Sequence, residues 1–155
     1  MSEVSIVELK PQLVLGLKRT GYYKEIAEMI PKLCMYADSV GAKIIGAPIF
    51  VCHETAEQAM EAQKNGNAKL EVCIPVSKRI DEKEGMHCYE LGGGTFAKTV
   101  HKGPYEECGP CYEKMFKWIA SQGKKVVGPT REYYVNDPRE VKPEEILTEI
   151  YAPIE

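Results

Sequence analysis

The sequence has no long apolar run, no N-terminal export signal and no excess of basic residues. A bilayer-spanning helix needs roughly 20 mostly apolar residues, and an export signal joins a basic segment to an apolar one. A nucleic-acid partner normally leaves a basic stripe, whereas 20 lysines and arginines are here outnumbered by 23 acidic residues. These absences predict a cytoplasmic protein that neither enters a membrane nor binds nucleic acid directly.

The composition is that of one ordinary globular domain. Of the 155 residues, 44% are hydrophobic and 28% are charged, so the chain can bury a core without disulfides or metals. We therefore expect residues 1–155 to form a single domain with no cofactor and no bound metal. In the cytoplasm its cysteines should be reduced thiols, and they are Cys34, Cys52, Cys73, Cys88, Cys108 and Cys111.

The chain repeats itself. A shift of 82 residues places residues 8–46 over residues 90–128, with 10 identical pairs among 39, whereas average composition gives roughly two or three. A shift of 78 then places residues 71–76 over residues 149–154. We therefore expect copy one at about 4–77 and copy two at about 87–155. The change of shift marks an insertion in copy one, which predicts an extra short helix over Glu54 to Lys64 that ends at Asn65-Gly66.

The sequence pattern of each copy predicts a β-α-β-β unit. Two such units predict an α+β fold with a curved antiparallel sheet, two main helices and a central ligand cleft. In copy two we expect a strand at 95–102, a helix from near Pro110 to Gly123, and strands at 131–135 and 147–154. Copy one follows the same pattern, and the charged residues 77–87 join the copies as an exposed linker.

The last strand of each copy alternates with period two, which assigns its side chains to two faces of a sheet. The aliphatic face should pack on the helices. The other face carries a carboxylate in each copy, Glu149 in copy two and Glu71 in copy one. The full sets are Ile150, Ala152 and Ile154 against Glu149, Tyr151 and Pro153, and Val72, Ile74 and Val76 against Glu71, Cys73 and Pro75.

The strand at 131–135 also alternates, with Tyr133 and Val135 on one face and Glu132, Tyr134 and Asn136 on the other. A carboxylate sheltered among aromatic residues either takes a proton or attracts a cation. The alternative is that Glu71 and Glu149 lie on a hydrated sheet face, as glutamates usually do. Alternation alone leaves both interpretations open.

Three segments in order resemble the GyrI-like small-molecule-binding domain: HKGPYEECGPCYEKMFKWIASQG, GPTREYYVNDP and LTEIYAPI. Copy one carries a weaker match in EVCIPV. The resemblance implies the duplicated β-α-β-β fold and a cleft for amphipathic, often cationic or aromatic molecules. In multidrug-responsive regulators this domain is the effector-binding part beside a DNA-binding helix-turn-helix, for which no residues remain here, so we expect a stand-alone member.

The resemblance also implies site residues. Glu149 of LTEIYAPI corresponds to the buried acidic position that contacts the ligand, and Tyr134 of REYYVND corresponds to a pocket aromatic. Copy one has Cys52 at the place of Tyr134, so the cleft should be chemically asymmetric. Glu71, Tyr151, Tyr112 and Trp118 are further candidates for ligand binding, although helix packing is an alternative role for Tyr112 and Trp118.

Other chemical signals have less support. Cys108-Gly109-Pro110-Cys111 spells the thioredoxin tetrapeptide, and a thiol at a helix N-terminus is a plausible redox group. The motif nevertheless lies inside copy two rather than after an early strand, which favours a structural role. A metal site would have to gather Cys52-His53, His87-Cys88, His101 and the CxxC pair, of which only the last has ligand spacing. Gly92-Gly93-Gly94 opens no helix and is therefore not a phosphate loop.

Two function classes remain at this point. The first is a binding protein that senses, sequesters or detoxifies an amphipathic, cationic or aromatic molecule. The second is a hydrolase, because relatives of the family resemble enzymes that open cyclopropane-bearing toxins, with Glu149 and Tyr134 as catalytic residues. Thiol redox chemistry through Cys108 and Cys111 is a lesser alternative. A protein partner such as gyrase, which the family name implies, has no support in the residues.

Overall fold

The computed structural model describes residues 3–155 and shows an α+β fold with three α-helices and eight β-strands in this part of the chain. Met1 and Ser2, which belong to the expected domain, lie outside the described residues. No helix within residues 3–155 is long and apolar enough to cross a membrane. The helices are α1 (Ile26–Ser39), α2 (Ala56–Asn65) and α3 (Gly109–Ser121); the strands are β1 (Ser5–Leu9), β2 (Gln12–Gly21), β3 (Ile49–Cys52), β4 (Ala68–Pro75), β5 (Met86–Leu91), β6 (Gly94–Lys102), β7 (Thr130–Tyr134) and β8 (Leu147–Pro153).

Contacts divide the chain into two compact units. The first unit contains the segment up to Lys10 together with Gly93–Glu155, and the second contains Pro11–Gly92. The strand order is β1-β6-β8-β7 in the first unit and β3-β4-β2-β5 in the second, and within each unit the neighbouring strands are antiparallel. These units differ from the two sequence copies, because the first strand of each copy pairs with the second strand of the other copy.

Corresponding strands pair in the same register within the two units. In the second unit Val14 lies opposite Pro75, and in the first unit Phe96 lies opposite Pro153, so the offsets are the 82 and 78 residues of the sequence repeat. Most positions in these strands therefore have a counterpart in the other unit. Three further pairs follow the same offsets: Gln12–Leu91 and Gly94–Leu9, Ile49–Cys73 and Arg131–Tyr151, and Ile44–Val76 and Val126–Ile154.

Helix α3 buries an apolar stripe against β6 and β8. Pro110 lies in its first turn, where the missing N–H is not needed. Met115 and Ile119 of α3 are buried and pack on Ala97 and on the aliphatic face of β8, which consists of Ile150, Ala152 and Ile154. The prediction that this face of the last strand packs on the helix is confirmed. Burial of each large side chain contributes roughly 1.5–3 kcal/mol.

The insertion in copy one forms a short helix, as expected. Helix α2 begins after Thr55, which forms a reciprocal capping box with Gln58. It ends at Gly66, whose φ of 67° is left-handed and favours glycine. The linker after β4 is exposed as predicted, except for Ile80, which is buried, and Met86, which is also buried and starts β5.

Gly16 of β2 provides space for an aromatic ring in the second unit. A Cβ atom at this position would lie 2.3 Å from the Tyr89 hydroxyl oxygen. The same hydroxyl donates a hydrogen bond of 2.6 Å to Oε2 of Glu71. The absence of a side chain at Gly16 therefore allows Tyr89 to reach a buried carboxylate.

We expect Gly16→Ala to displace Tyr89 and to leave Glu71 without one of its donors. Loss of a partner for a buried polar group costs about 1–3 kcal/mol, which urea unfolding would measure. Gly92→Ala is the control, because a Cβ at Gly92 meets no atom within 4 Å. Equal stability of Gly16→Ala and the wild type would show that this ring position contributes nothing.

Candidate functional site

The pairing of β7 with β8 places the two leading site candidates on opposite faces of the first unit. Tyr133 lies opposite Glu149, and Tyr134 lies opposite Thr148. Directly opposed residues of an antiparallel pair share a face, so Tyr133 faces the same side as Glu149 while Tyr134 faces the α3 side with Ile150. In this register Glu149 and Tyr134 therefore lie on opposite faces of the sheet.

Tyr134 instead contacts a different carboxylate, Glu132. The Tyr134 hydroxyl donates to Oε1 of Glu132 at 3.1 Å, and the Tyr112 hydroxyl of α3 donates to Oε2. The ring of Tyr105 meets the ring of Tyr134 edge to face, with 5.3 Å between their centroids. We call these four residues the Glu132 cluster.

Burial dominates the electrostatics of the Glu132 cluster. It raises the pKa of the Glu132 carboxyl, against the opposing effects of the Tyr112 and Tyr134 hydrogen bonds and of His101. Burial, followed by the Glu132 charge, raises the pKa of Tyr134 well above its usual range. Within residues 3–155 no lysine or arginine forms an ion pair with Glu132. The Glu132 carboxyl is therefore stabilised either by keeping its proton or by binding a cation that is not part of the chain.

Glu149 lies in a second cluster, which already contains a cation. Its Oε1 accepts a hydrogen bond of 2.9 Å from the Tyr151 hydroxyl, and its Oε2 lies 3.6 Å from Nζ of Lys98. Lys98 also lies 5.6 Å above the centre of the Tyr151 ring, and Tyr133 packs on that ring at 4.8 Å. Lys98 therefore occupies the carboxylate and the aromatic face that a cationic guest would use.

Glu71, the counterpart of Glu149 in the second unit, is bound by its own neighbours. Its side chain is only 8% exposed. His53 donates from Nε2 to Oε1 at 2.6 Å, and Tyr89 donates to Oε2 at 2.6 Å. Both carboxylate oxygens are satisfied within the unit, which favours a structural role. Cys52, at the place of Tyr134, provides no ring there, so the two copies differ chemically as expected.

The remaining candidates lie on or near α3. Trp118 is partly buried and packs against the core between α3 and β8, whereas Tyr112 packs there and also donates to Glu132. Neither Cys108 nor Cys111 forms a disulfide. Within residues 3–155, no three or more histidine, cysteine, aspartate or glutamate side chains gather into a metal-binding group.

The sequence candidates for ligand binding did not include Glu132 or Thr148, and His101 entered only as a residue that a metal site would need. The alternation of residues 131–135 did place Glu132 on the face of Tyr134, but the single aliphatic residue of that segment, Val135, lies on the face of Tyr133, so nothing indicated that the Glu132 face packs on the helix. Comparison of the units gives a stronger signal, because the second unit is apolar at the positions equivalent to Glu132, Thr148 and Cys111. Its residues there are Phe50 for Glu132, Leu70 for Thr148 and Met29 for Cys111, each at most 3% exposed.

The α+β fold, with carboxylates set among tyrosines, is that of a small-molecule-binding domain. The chain belongs to the GyrI-like family, because the model of the GyrI-like small molecule binding domain matches residues 2–155. A comparison with curated proteins gives no match.

Solved structures share the fold at low sequence identity. The C-terminal domain of EcmrR is 17% identical with a TM-score of 0.86, covering 100% of this chain and 98% of that one. In the EcmrR–DNA complex the match, at 18% identity and a TM-score of 0.86, covers 99% of this chain but spans only 57% of the regulator chain. A hydrolase encoded by lin2189 from Listeria innocua is 12% identical (TM-score 0.73, 99% and 92% covered). SAV2435 bound to tetraphenylphosphonium is 14% identical (TM-score 0.61, 99% and 94% covered).

The raised pKa of Glu132 makes stability depend on pH. A carboxyl whose pKa is higher in the folded state contributes stability below its unfolded pKa, and this contribution is lost as pH rises through the folded pKa. Glu132→Gln removes this loss. We expect the free energy of unfolding of Glu132→Gln, relative to the wild type, to increase as pH rises from the acidic range.

Urea unfolding of both proteins at a series of pH values measures this difference. The other ionisable groups are common to the two proteins, so their titration largely cancels when one curve is subtracted from the other. A difference that stays constant with pH would contradict the raised pKa of Glu132.

Proposed function

We propose that the first unit binds amphipathic organic cations at the Glu132 cluster. The observation that carries this proposal is a carboxylate enclosed by tyrosines, with its pKa raised by burial and with no ion pair to a lysine or arginine of residues 3–155. Tyrosine faces attract cations, and a desolvated carboxylate gains the most from a cationic partner. Glu132 is only partly shielded from solvent, so a guest can reach it.

The comparison of the two units supports a functional role for the polar side chains of Glu132 and Thr148. The fold tolerates an apolar core at the same positions, since Phe50 and Leu70 are buried in the second unit where the first has Glu132 and Thr148. Replacing apolar side chains by a carboxyl and a hydroxyl sacrifices hydrophobic stabilisation. We infer that a ligand site accounts for this loss of hydrophobic stabilisation.

Glu149 is the second candidate for the acidic contact. Its neighbours Tyr133 and Tyr151 could stack on an aromatic guest, but Lys98 already pairs with its carboxylate. A cationic guest would have to displace Lys98, which lowers the net gain. Glu71 has both oxygens occupied by His53 and Tyr89 and is the weakest of the three carboxylates as a ligand contact.

Two related structures accord with cation binding and with a sensing role. SAV2435 was solved with tetraphenylphosphonium, and EcmrR carries a domain of this fold within a longer DNA-bound regulator. By analogy, we propose that this domain senses, sequesters or detoxifies amphipathic molecules and does not itself contact nucleic acid.

Tetraphenylphosphonium is the probe that tests the binding proposal. Calorimetry should show that Glu132→Gln weakens its binding by about tenfold to a hundredfold, because the Coulomb attraction between a carboxylate and a cation about 4 Å apart is worth on the order of 1–4 kcal/mol, depending on burial. Neutral triphenylphosphine oxide should be affected far less. Glu149→Gln is the matched variant and should change the affinity little, because Lys98 already neutralises that carboxylate.

The pH dependence of binding gives an independent readout. A cation prefers the ionised carboxyl, so tetraphenylphosphonium affinity should rise as pH rises through the raised pKa of Glu132 and then level off. This rise should be absent in Glu132→Gln. Loss of binding in Glu149→Gln, together with unchanged binding in Glu132→Gln, would transfer the site to the Glu149 face.

Hydrolysis is the second candidate function, favoured by the same raised pKa. A carboxyl whose pKa is raised by burial keeps its proton to higher pH and can serve as a general acid, and Tyr134 lies within hydrogen-bonding distance to orient it. A cyclopropane-bearing electrophile would be the substrate class. For an enzyme, Glu132→Gln should lower turnover more than substrate affinity, whereas a binding protein shows no turnover in the wild type.

A further inference from the structure

A thiol and an imidazole contact each other beside the Glu132 cluster. Cys111, in the first turn of α3, places its Sγ 3.4 Å from Nδ1 of His101 on β6. The other ring nitrogen of His101, Nε2, lies 2.8 Å from the carbonyl oxygen of Pro104. His101 is buried, whereas Cys111 remains partly exposed.

These contacts determine which nitrogen of His101 carries the proton. A carbonyl oxygen can only accept, so Nε2 must be the N–H donor to Pro104. In the neutral imidazole Nδ1 is then an unprotonated acceptor and receives the S–H of Cys111. The arrangement consists of a nucleophile, a base and a third group that orients the base, which is the pattern of an activated nucleophile.

A separate observation indicates that a ligand atom belongs at this place. Thr148 is 1% exposed, and its hydroxyl has no hydrogen-bond partner within residues 3–155. It lies directly opposite His101 on one side and Tyr134 on the other, on the same face of the sheet. A buried hydroxyl without a partner costs about 1–3 kcal/mol, and a carbonyl oxygen of a bound molecule would satisfy it.

We propose that Cys111 is a nucleophile that adds to α,β-unsaturated carbonyl compounds, with His101 as its base and Thr148 as a donor to the carbonyl oxygen. The Cys111 proton passes to Nδ1 of His101 as sulfur bonds to the β-carbon. The electron pair of the C=C bond moves to the α-carbon, which then takes the proton from His101. The sum is addition of S–H across C=C, with no leaving group, oxidant or reductant.

The surroundings of the pair suit the charges that develop during this step. Cys111 lies at the N-terminal end of α3, where the helix dipole stabilises negative charge. The Glu132 charge interacts favourably with protonated His101. Met29 is the counterpart of Cys111 in the second unit, so a thiol is not a requirement of the fold at this position.

N-ethylmaleimide, an α,β-unsaturated carbonyl compound, tests the proposal on the full chain. Labelling of each cysteine is followed over time by peptide mass spectrometry. We expect Cys111 to react faster than Cys88, which is also partly exposed, and we expect this advantage to disappear in urea. Cys111→Ser should abolish the fast phase, and His101→Gln should slow it roughly a hundredfold without changing the rate at Cys88.

The outcomes separate this activity from cation binding and from redox chemistry. If His101→Gln does not fold, the ratio of the Cys111 and Cys88 rates in the native and urea-unfolded wild type decides the question. Equal native rates at these two cysteines, or a Cys108–Cys111 disulfide that forms in glutathione buffer and blocks labelling, would overturn the proposal. Because Cys111 lies outside the Glu132 cluster, Cys111→Ser should still bind tetraphenylphosphonium, so the two proposals fail independently.

Discussion

The register between β7 and β8 is the constraint on which both acidic clusters of the first unit depend. It places Tyr133 opposite Glu149 and Tyr134 opposite Thr148, and thereby assigns adjacent tyrosines to different environments. A slip of one residue would transfer Glu132 and Tyr134 away from α3. The packing of Ile150 on Met115 and Ile119 of α3 fixes which face of β8 meets the helix, and the pairing with β8 then assigns the faces of β7. Ordinary core packing thus fixes the position of the polar groups.

Much of the fold could be predicted because the match between residues 8–46 and 90–128 indicates most elements twice, with α2 as the exception. Helix α3 and the short helix α2 were expected from Pro110, Gly123 and Gly66, where local conformation decides the helix ends. The pairing of β1 with β6 could not be predicted, because hydrogen-bond partners distant in sequence leave no local pattern. For the site, β8 has a clear aliphatic face whereas β7 has none, so alternation placed Glu132 beside Tyr134 but could not show that this face meets α3 and not Glu149.

The three carboxylates differ chiefly in what neutralises them. Glu71 accepts from His53 and Tyr89, and Glu149 pairs with Lys98, so both have their counter-groups within the chain. The counterpart of Lys98 in the second unit is Gly16, whose missing side chain makes room for the Tyr89 ring. The position of Lys98 and Gly16 thus meets the carboxylate on the neighbouring strand in two different ways. Within residues 3–155 the hydrogen-bond donors to Glu132 are two tyrosine hydroxyls, which cannot neutralise it.

The first unit therefore has less apolar core packing than the second unit at three equivalent positions. The second unit has Met29, Phe50 and Leu70 in its core at these positions, whereas the first has a thiol, a carboxyl and a hydroxyl. Each polar replacement in such a place lowers stability unless something outside the chain compensates. The Thr148 hydroxyl and the Glu132 carboxylate both lack that compensation within the described residues, and both lie on the face of the sheet that α3 covers. The cation proposed at Glu132 and the carbonyl compound proposed at Thr148 would each supply it.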